Sequence, residues 1–358
     1  VWTSCPKARR LLVLGGFSRT NRTRMTMIVK TKARLVAQGF TQREGVDCSQ
    51  ASAPTPAASS VKILLAVANE LKDRVHLDTK EVSIQAELDC EVYMKLSGGC
   101  DSLSARIVRP GKAVYGLRQS GLLWNEQLVK KLVVRMGMEQ CKTDPCVFRK
   151  IRDSVVVLMV VVHVDDMAEA GTEDKLRKLH EVLHEHCITN DLGGLSLFTV
   201  CVVSQDVEKV HLTITQPAFI ETVGKRFDVT TTSNFPAVPG ENLEARKEGE
   251  PGGPWAYREA VGSLIWLRHR KAVLKIIHDS LGSKHLGLTF ERGLGLEMTL
   301  WTDSNYAEKV EDRRSLSGIA IMLCFTVVAW MSLTQRITAV SATEAEYISM
   351  GDGVKEAL

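Results

Sequence analysis

Apolar residues form one long uninterrupted run near the middle of the chain, from Val155 to Val162, and acidic residues follow it closely. Eight apolar residues rich in valine are too few to span a bilayer, which needs about 20 helical residues, but they are typical of a strand buried on both faces. Asp165 and Asp166 come directly after His163 and Val164. The pattern predicts a strand that delivers two carboxylates to a turn.

These neighbouring carboxylates predict a cation site. Two like charges leaving a core are costly unless a cation lies beside them, and a divalent metal ion is the strongest candidate. A hairpin turn closed by an aspartate side chain is the alternative, and it needs no metal. Because successive strand residues point to opposite faces, we assign Asp165 the stronger role and Asp166 the weaker one.

Metal-assisted chemistry on phosphate would need a further carboxylate from a neighbouring strand. Two metal ions about 3.5–4 Å apart are bridged by oxygens, and two adjacent residues of one turn cannot supply them all. Asp78 follows a short predicted strand, Arg74–Leu77. Strand-end carboxylates converge at one edge of a sheet, so Asp78 completes the candidate site.

Periodicity predicts further elements on both sides of this hairpin. Apolar residues at helical spacing predict helices over Val61–Leu71, Leu122–Leu132, Lys175–His186, Phe219–Phe227, Tyr257–Leu267, Lys271–His278 and Thr343–Leu358. Alternation predicts a strand over Val210–Thr215 and several strands between Met298 and Trp330. Residues 229–254 collect Thr, Pro, Gly and Glu, a composition typical of a linker.

Composition sets the outer limits. With 358 residues, 44% hydrophobic and 25% charged, the chain has an ordinary globular composition and room for two or three domains. The net charge is only +4, but residues 1–45 hold ten Lys or Arg against one acid, Glu44. That asymmetry indicates a phosphate-bearing partner, although a solvated, unordered arm explains residues 1–25 equally well.

Cysteine usage and the N-terminal segment bear on the compartment. Nine cysteines are scattered without a C-x-x-C pair, which indicates reduced, intracellular thiols and no disulfide-linked partner. The apolar stretch Leu11–Gly16 is too short for the core of a signal peptide. We therefore expect neither secretion nor a membrane anchor.

One motif suggests different chemistry. His180–His184 reads H-E-x-x-H, which on a helix can place two imidazoles on one zinc ion with Glu181 as the base. The predicted helix already has an apolar face to bury, and no further histidine follows at the spacing of a metalloprotease. An amphipathic helix that binds no zinc is the favoured interpretation.

Eight motifs, including the acidic turn, occur in a fixed order. They are KARLVAQGFTQREG (Lys32–Gly45), EVYM (Glu91–Met94), VYGLRQ (Val114–Gln119), TDPCVF (Thr143–Phe148), HVDD (His163–Asp166), YREAVGSL (Tyr257–Leu264), DRRSLSG (Asp312–Gly318) and SATEAEY (Ser341–Tyr347). The first five resemble the reverse transcriptase of copia-type LTR retrotransposons. The last three resemble the connection and ribonuclease H region of the same Pol polyprotein. Ordered motifs together are far more specific than any one of them alone.

The resemblance implies an α+β fold: a right-hand polymerase with fingers and palm, then a connection segment and an incomplete ribonuclease H-like α/β domain. The implied organisation is a basic, poorly ordered segment at 1–27 and fingers and palm at 28–228. A linker with a shortened connection region would follow at 229–295, and a truncated ribonuclease H-like domain at 296–358.

The resemblance also implies an activity, RNA-directed DNA polymerisation, with Asp78, Asp165 and Asp166 around two Mg²⁺ ions. The partners implied are a primed RNA or DNA template and deoxynucleoside triphosphates. The protein would act in the cytoplasm, inside a virus-like particle, or in the nucleus.

Residues around the metal site take their implied roles from the same resemblance. Lys32 and Arg34 resemble the cations that meet the triphosphate, and Gln119 resembles the residue that contacts the incoming nucleotide. His163 and Val164 would form the turn that faces the primer. From the residues alone, the two cations could simply be solvated, and Gln119 could cap the following helix.

Several positions depart from the family pattern. His163 replaces a tyrosine, Ala57 replaces an arginine, and Thr199–Val200 replace a Leu-Gly pair. Ser83 stands where an aromatic ring would block a ribose 2′-hydroxyl, so we expect weak discrimination against ribonucleotides. A helical segment of the connection region is missing between Leu267 and His269. These changes predict impaired polymerisation, and the alternative is an inactive remnant that binds nucleic acid non-specifically.

The ribonuclease H-like region supplies two acidic candidates. Asp303 lies in WTDS, and Glu346 resembles the helical glutamate of that fold better than Glu344 does. The family's next catalytic aspartate would lie beyond Leu358. We therefore expect a partial site and no RNA cleavage.

Overall fold

The computed structural model divides the chain into two compact units, Val1–Gly194 and Leu195–Leu358. It describes residues 11–22, 28–43, 45, 47–48, 52–71, 74–79, 86–95, 107–164, 166–185, 189–191, 195–198, 201–206, 211–236, 259–260, 270–309 and 312–358. Within these ranges, residues 11–22, 28–35, 71, 74–79, 189–191 and 270–274 are described as backbone alone.

The first unit begins with a four-stranded sheet. Its strands are β1 (Leu11–Arg22), β2 (Ile28–Ala37), β4 (Tyr93–Lys95) and β5 (Ile107–Val108), in the order β2-β1-β4-β5. Strand β1 lies within the segment 1–27, for which poor order stays a prediction. That strand pairs antiparallel with β2 from Leu14 to Arg22, so the ladder satisfies its backbone hydrogen-bonding groups.

The second sheet of this unit carries the predicted acidic hairpin. Its six strands are β3 (Arg74–Thr79), β6 (Glu139–Gln140), β7 (Val147–Arg152), β8 (Val155–His163), β9 (Asp166–Gly171) and β10 (Thr189–Asp191). They run in the order β10-β3-β9-β8-β7-β6, and every neighbouring pair is antiparallel. The edge of the acidic hairpin formed by β9 is therefore covered by β3.

Helices cover both faces of this sheet. They are α1 (Ala58–Leu71), α2 (Ser120–Lys130), which continues as a π-helical turn to Arg135, and α3 (Glu173–His184). Val160 and Val162 pack into a core with residues of α2 and α3. Val161, between them, is also fully buried, and α1 contacts β8 and β9. The prediction of a valine-rich strand buried on both faces is confirmed.

The described part of the second unit contains two sheets. One antiparallel sheet is formed, in this order, by β11 (Leu197–Phe198), β12 (Cys201–Asp206), β13 (His211–Thr215) and β14 (Leu288–Glu291). Two helices of the same unit, α4 (Pro217–Arg226) and α5 (Arg270–Gly282), pack on each other. Strands β15 (Met298–Asn305), β16 (Leu316–Leu323) and β17 (Thr326–Thr334) form the other. Helix α6 (Ala342–Ala357) packs on β15 and β16.

The unit boundary differs from the predicted domain boundary at 228/229. Strand β13 precedes that point in sequence and β14 follows it, yet the two pair from His211–Glu291 to Ile214–Leu288. A shared ladder keeps the chain on both sides of residue 228 in one unit, so the division falls after Gly194 instead.

Some predictions fall outside the described residues. Of the predicted helix Tyr257–Leu267, only Glu259 and Ala260 are described, and they are helical. Most of the predicted linker and the point of the missing segment at Leu267–His269 are not described. Across the described ranges, no helix combines the length and the apolar character needed to cross a membrane.

Candidate active site

The hairpin between β8 and β9 has a two-residue turn. His163 and Asp166 face each other as the last register pair of the two strands, which leaves Val164 and Asp165 as the connection. Val164 has a φ of 58°, in the left-handed region. Two-residue hairpins require such angles, and β-branched residues seldom adopt them. Asp166 and His163 are half-buried, and Asp165 lies outside the described residues.

Strand β3 brings Asp78 to the same end of the sheet. The backbone of Asp78 is the register partner of Asp166 on one side and of Asn190 on the other. Facing residues of antiparallel strands have Cα atoms about 4.5–5.5 Å apart. The predicted convergence of strand-end aspartates is therefore present in the backbone, and Asp166 rather than Asp165 is the residue opposite Asp78.

The donor chemistry of this hairpin fits a magnesium ion. Mg²⁺ prefers carboxylate oxygens and keeps several water ligands, and it is commonly held by one or two carboxylates together with substrate phosphates. Within the described part of the chain, which excludes Asp165 and the side chain of Asp78, no group of three His, Cys, Asp or Glu residues is arranged to hold a metal ion. A magnesium site at this hairpin would therefore need Asp78 and Asp165 beside Asp166.

A buried tryptophan contacts the acidic turn. Trp124, on α2, is 1% exposed, and its indole Nε1 donates a hydrogen bond to the carbonyl oxygen of Val164 at 3.0 Å. The sequence prediction places this residue only on an amphipathic helix. Because a buried indole N–H normally has a hydrogen-bond partner, the sequence could have predicted that Trp124 donates a hydrogen bond. It could not have predicted that the acceptor is Val164.

Gln119 lies in a buried polar network. It occupies the N-cap position of α2 but its side chain makes no capping bond, so the alternative of a capping role is wrong. Its Oε1 accepts a hydrogen bond from Gln42 Nε2 at 3.0 Å, and its Nε2 donates to Cys90 Sγ at 3.5 Å. Gln42 Oε1 in turn accepts from the backbone N–H of Arg118 at 2.8 Å. Gln119 is fully buried, with both ends of its amide engaged by protein.

Two glycines allow the segment 32–45 to dock on the segment 114–119. A Cβ added to Gly39 would lie 1.9 Å from the carbonyl oxygen of Gly116, and one added to Gly116 would lie 2.2 Å from that of Ala37. Gly116 also has a φ of 89°, which disfavours residues with a side chain. Only glycine permits this approach, which is joined by a hydrogen bond from Ala37 N to Tyr115 O at 2.7 Å.

The remaining nucleotide-site candidates are only partly described. Lys32 and Arg34 lie two positions apart on β2, where their backbone register partners on β1 are Arg19 and Phe17. Their side chains are outside the described structure, as is all of Ser83. Their predicted roles remain predictions.

Asp144, in the segment 143–148, binds the N-terminal end of α1. Its Oδ2 accepts hydrogen bonds from Ala57 N at 2.9 Å and from Ser60 Oγ at 2.6 Å, and its Oδ1 accepts from Cys146 N at 2.9 Å. Burial, with the nearby Asp144 carboxylate, raises the pKa of the Cys146 thiol to about 12. This network fixes α1 relative to the loop before β7, and the sequence prediction missed it because its partners are far apart in the chain.

The H-E-x-x-H motif has a structural explanation. His180 Nε2 lies 2.9 Å from Oε2 of Glu169, a fully buried residue of β9, so this imidazole is engaged inside the fold. His184 is the exposed last residue of α3. The motif therefore contributes one histidine to the packing of α3 on β9.

The second unit brings its two acidic candidates onto neighbouring elements. Asp303 is exposed on β15, and Glu346 on α6 reaches the adjacent backbone, where its Oε1 accepts from Ser304 N at 3.2 Å. Ser349 Oγ donates to Asp303 O at 2.8 Å. Glu344 Oε2 instead accepts from Val340 N at 2.7 Å, next to the N-cap of α6.

Comparisons with known proteins agree on one family. The family model described as reverse transcriptase (RNA-dependent DNA polymerase) matches residues 3–241. The Retrovirus-related Pol polyprotein from transposon TNT 1-94 of Nicotiana tabacum is 25% identical and aligns with 98% of this chain and 29% of its own length. The Retrovirus-related Pol polyprotein from transposon RE1 of Arabidopsis thaliana is 26% identical and aligns with 91% of this chain and 24% of its own length. The chain thus spans roughly a quarter of the length of these relatives.

One solved structure also resembles the chain. It is a foamy viral protease-reverse transcriptase in complex with double-stranded DNA, with 13% identity and a TM-score of 0.47 over 91% of this chain and 54% of that one. Similarity of this degree does not by itself establish a common fold.

Proposed function

Because the chain belongs to the reverse transcriptase (RNA-dependent DNA polymerase) family, in its copia-type retrotransposon branch, we propose that it extends a primer with deoxynucleotides on an RNA or DNA template. The observation that carries this proposal is the acidic hairpin at Asp166 with Asp78 as its backbone register partner. The two-residue turn and the neighbouring strand bring these acidic positions together in the backbone, so their carboxylates would be able to hold a phosphate-bound cation.

The carboxylates of Asp78, Asp165 and Asp166 would hold two Mg²⁺ ions, which supply charge neutralisation at the transferred phosphate and acidify the primer 3′-hydroxyl. The turn residues His163 and Val164 would contact the primer end. Paired strands on either side of β9 hold the backbone of Asp166 in place, so its carboxylate would need little reorganisation when substrate binds.

The nucleotide would lie near the docked segments 32–45 and 114–119. Lys32 and Arg34 on β2 would bind its triphosphate through charge-assisted hydrogen bonds. Gln119 is buried and bonded to Gln42, so it supports this site by fixing the backbone at Arg118. A direct contact between the Gln119 side chain and the nucleotide would require the hydrogen bond between Gln119 and Gln42 to break.

Primer extension tests the proposal. Purified chain would be given poly(rA) with an oligo(dT) primer, dTTP and Mg²⁺, alongside a variant carrying Asp165→Ala and Asp166→Ala. The matched control removes two exposed carboxylates, Glu139→Ala and Glu181→Ala. We expect extension by wild type and control and none by the aspartate variant. Equal background incorporation by all three would remove the enzymatic proposal.

A second candidate function is non-specific nucleic-acid binding without catalysis. It is favoured by the ten Lys or Arg among residues 1–45 and by the departures at Ala57, Ser83 and His163. In that case, wild type would extend no primer but would bind duplex with an affinity that falls steeply as salt rises. Binding unaffected by salt would exclude it.

A further inference from the structure

The turn that carries the acidic pair holds an unfavourable backbone conformation. Val164 is β-branched and 39% exposed, with a φ of 58°. Valine side chains crowd the backbone in the left-handed region, so this residue would adopt extended or right-handed angles if nothing opposed it. Such outliers persist only where surrounding contacts determine them.

Trp124 supplies such a contact from a rigid element. Its indole Nε1 donates to the Val164 carbonyl at 3.0 Å, although the two residues are separated by 40 positions in sequence. The ring is 1% exposed and belongs to the core cluster that includes Leu128 of the same helix. Lys131 Nζ lies over the ring, 5.6 Å from its centroid. The donor therefore has little freedom to follow a moving turn.

We propose that Trp124 is a positioning residue for the catalytic turn. By holding the Val164 carbonyl, its N–H keeps Val164 in the left-handed conformation. The chain then enters β9 at Asp166 in the register that faces Asp78. Trp124 acts through the turn and touches neither metal nor nucleotide. The kinetic consequence rests on the proposed polymerase function, whereas the structural consequence does not.

A tryptophan that merely filled the core would behave differently. If Trp124 only filled the core, phenylalanine would restore most of the packing. The remaining loss of stability would then have the same effect on the turn as any other core truncation of similar cost. The positioning role instead depends on one N–H group. Trp124→Phe removes that group and retains an aromatic ring, and Leu128→Val, one turn further along α2, is the matched core control.

Hydrogen exchange measured by mass spectrometry tests the positioning with no need for activity. In Trp124→Phe, amides of the peptide 155–171 are expected to exchange about five-fold faster than in wild type, as for the loss of one hydrogen bond. Leu128→Val keeps the indole N–H, so it should accelerate exchange of that peptide less than Trp124→Phe does, at a comparable melting temperature. Equal acceleration in both variants, or none in Trp124→Phe, would overturn the proposal.

Relief of the backbone strain gives an independent arm. Asparagine adopts left-handed angles far more readily than valine, so Val164→Asn should make the turn less dependent on the indole. The effect of Trp124→Phe on exchange is therefore expected to shrink when the two changes are combined. An unchanged effect would contradict a role in holding Val164.

Single-nucleotide incorporation completes the test. We expect Trp124→Phe to lower kcat by about five-fold, with KM for dTTP and the melting temperature close to those of Leu128→Val. A rise in KM alone would contradict positioning of the carboxylates. If wild type incorporates no nucleotide, the proposed function fails, and the exchange experiments still decide the role of Trp124.

Discussion

Replacing Asp144 by alanine should destabilise the first unit more than any exposed substitution. The side chain is buried and accepts three hydrogen bonds, from Ala57 N, Ser60 Oγ and Cys146 N, at 2.6 to 2.9 Å. Two of these donors belong to the N-terminal end of α1, where a carboxylate is also favoured by the helix dipole. Each bond to a charged group contributes about 1.5 kcal/mol or more, and the abandoned donors are partly buried.

We therefore expect Asp144→Ala to lower the free energy of unfolding by about 3 kcal/mol, which for a unit of this size is a fall of roughly 6–12 °C in Tm. Urea denaturation followed by tryptophan fluorescence would measure it. Ser60→Ala removes one of the three bonds and should cost about 1 kcal/mol. Glu181→Ala, an exposed carboxylate of α3, serves as the control.

The result that would refute this reasoning is a loss from Asp144→Ala within about 0.5 kcal/mol of that from Glu181→Ala. Such a result would mean that the loop before β7 can move away from α1 at little cost. The hydrogen bonds would then reflect proximity and would not hold α1 against the strands of the acidic hairpin.

Two further predictions concern residues outside the acidic site. The Thr143 hydroxyl lowers the pKa of Cys141, whereas burial raises the pKa of Cys146 to about 12. Iodoacetamide should therefore label Cys141 at lower pH and spare Cys146 until the protein unfolds. Labelling of both thiols at equal rates would contradict this. Gly116→Ala should lower the free energy of unfolding by about 2 kcal/mol or more beyond the effect of Gly45→Ala. Both glycines have a positive φ, but only at Gly116 would an added Cβ collide with backbone atoms. Equal melting temperatures of the two variants would show that the close approach is not maintained.

The sequence predicted the elements whose signal is local. Helix α3, expected over Lys175–His186, spans Glu173–His184, and α6, expected over Thr343–Leu358, spans Ala342–Ala357. In α3 the apolar face of Leu176, Leu179 and Leu183 is buried as its spacing indicated. These predictions succeed because burial of one helical face imposes a period of 3.6 residues on the sequence itself.

Contacts between distant segments were not predictable in the same way. The bond from Trp124 to Val164 joins residues 40 positions apart, and that from Ser60 to Asp144 joins residues 84 apart. Pairing of β13 with β14 likewise joins segments on both sides of a predicted linker. No periodicity records which donor meets which acceptor, so the order of strands and the supports of the acidic turn required the structure.

The acidic site itself was predicted in part. Strand-end positions predicted that Asp78 and the acidic pair converge at one end of the sheet, but they did not predict the register that sets Asp166 opposite Asp78. A shift of one residue would place Asp165 there instead, and sequence spacing alone does not choose between the two registers. The stronger role assigned to Asp165 stays a prediction.

Iron-directed cleavage would locate the metal site without reference to activity. Fe²⁺ substituted for Mg²⁺, with ascorbate and peroxide, generates radicals that cut the backbone close to the bound ion, and the cuts are mapped by mass spectrometry. We predict cuts within 76–79 and 163–167 that excess Mg²⁺ suppresses and that the variant with Asp165→Ala and Asp166→Ala lacks. Cuts confined to other segments, or cuts at these segments that persist in the variant, would contradict a metal site at the β8–β9 turn.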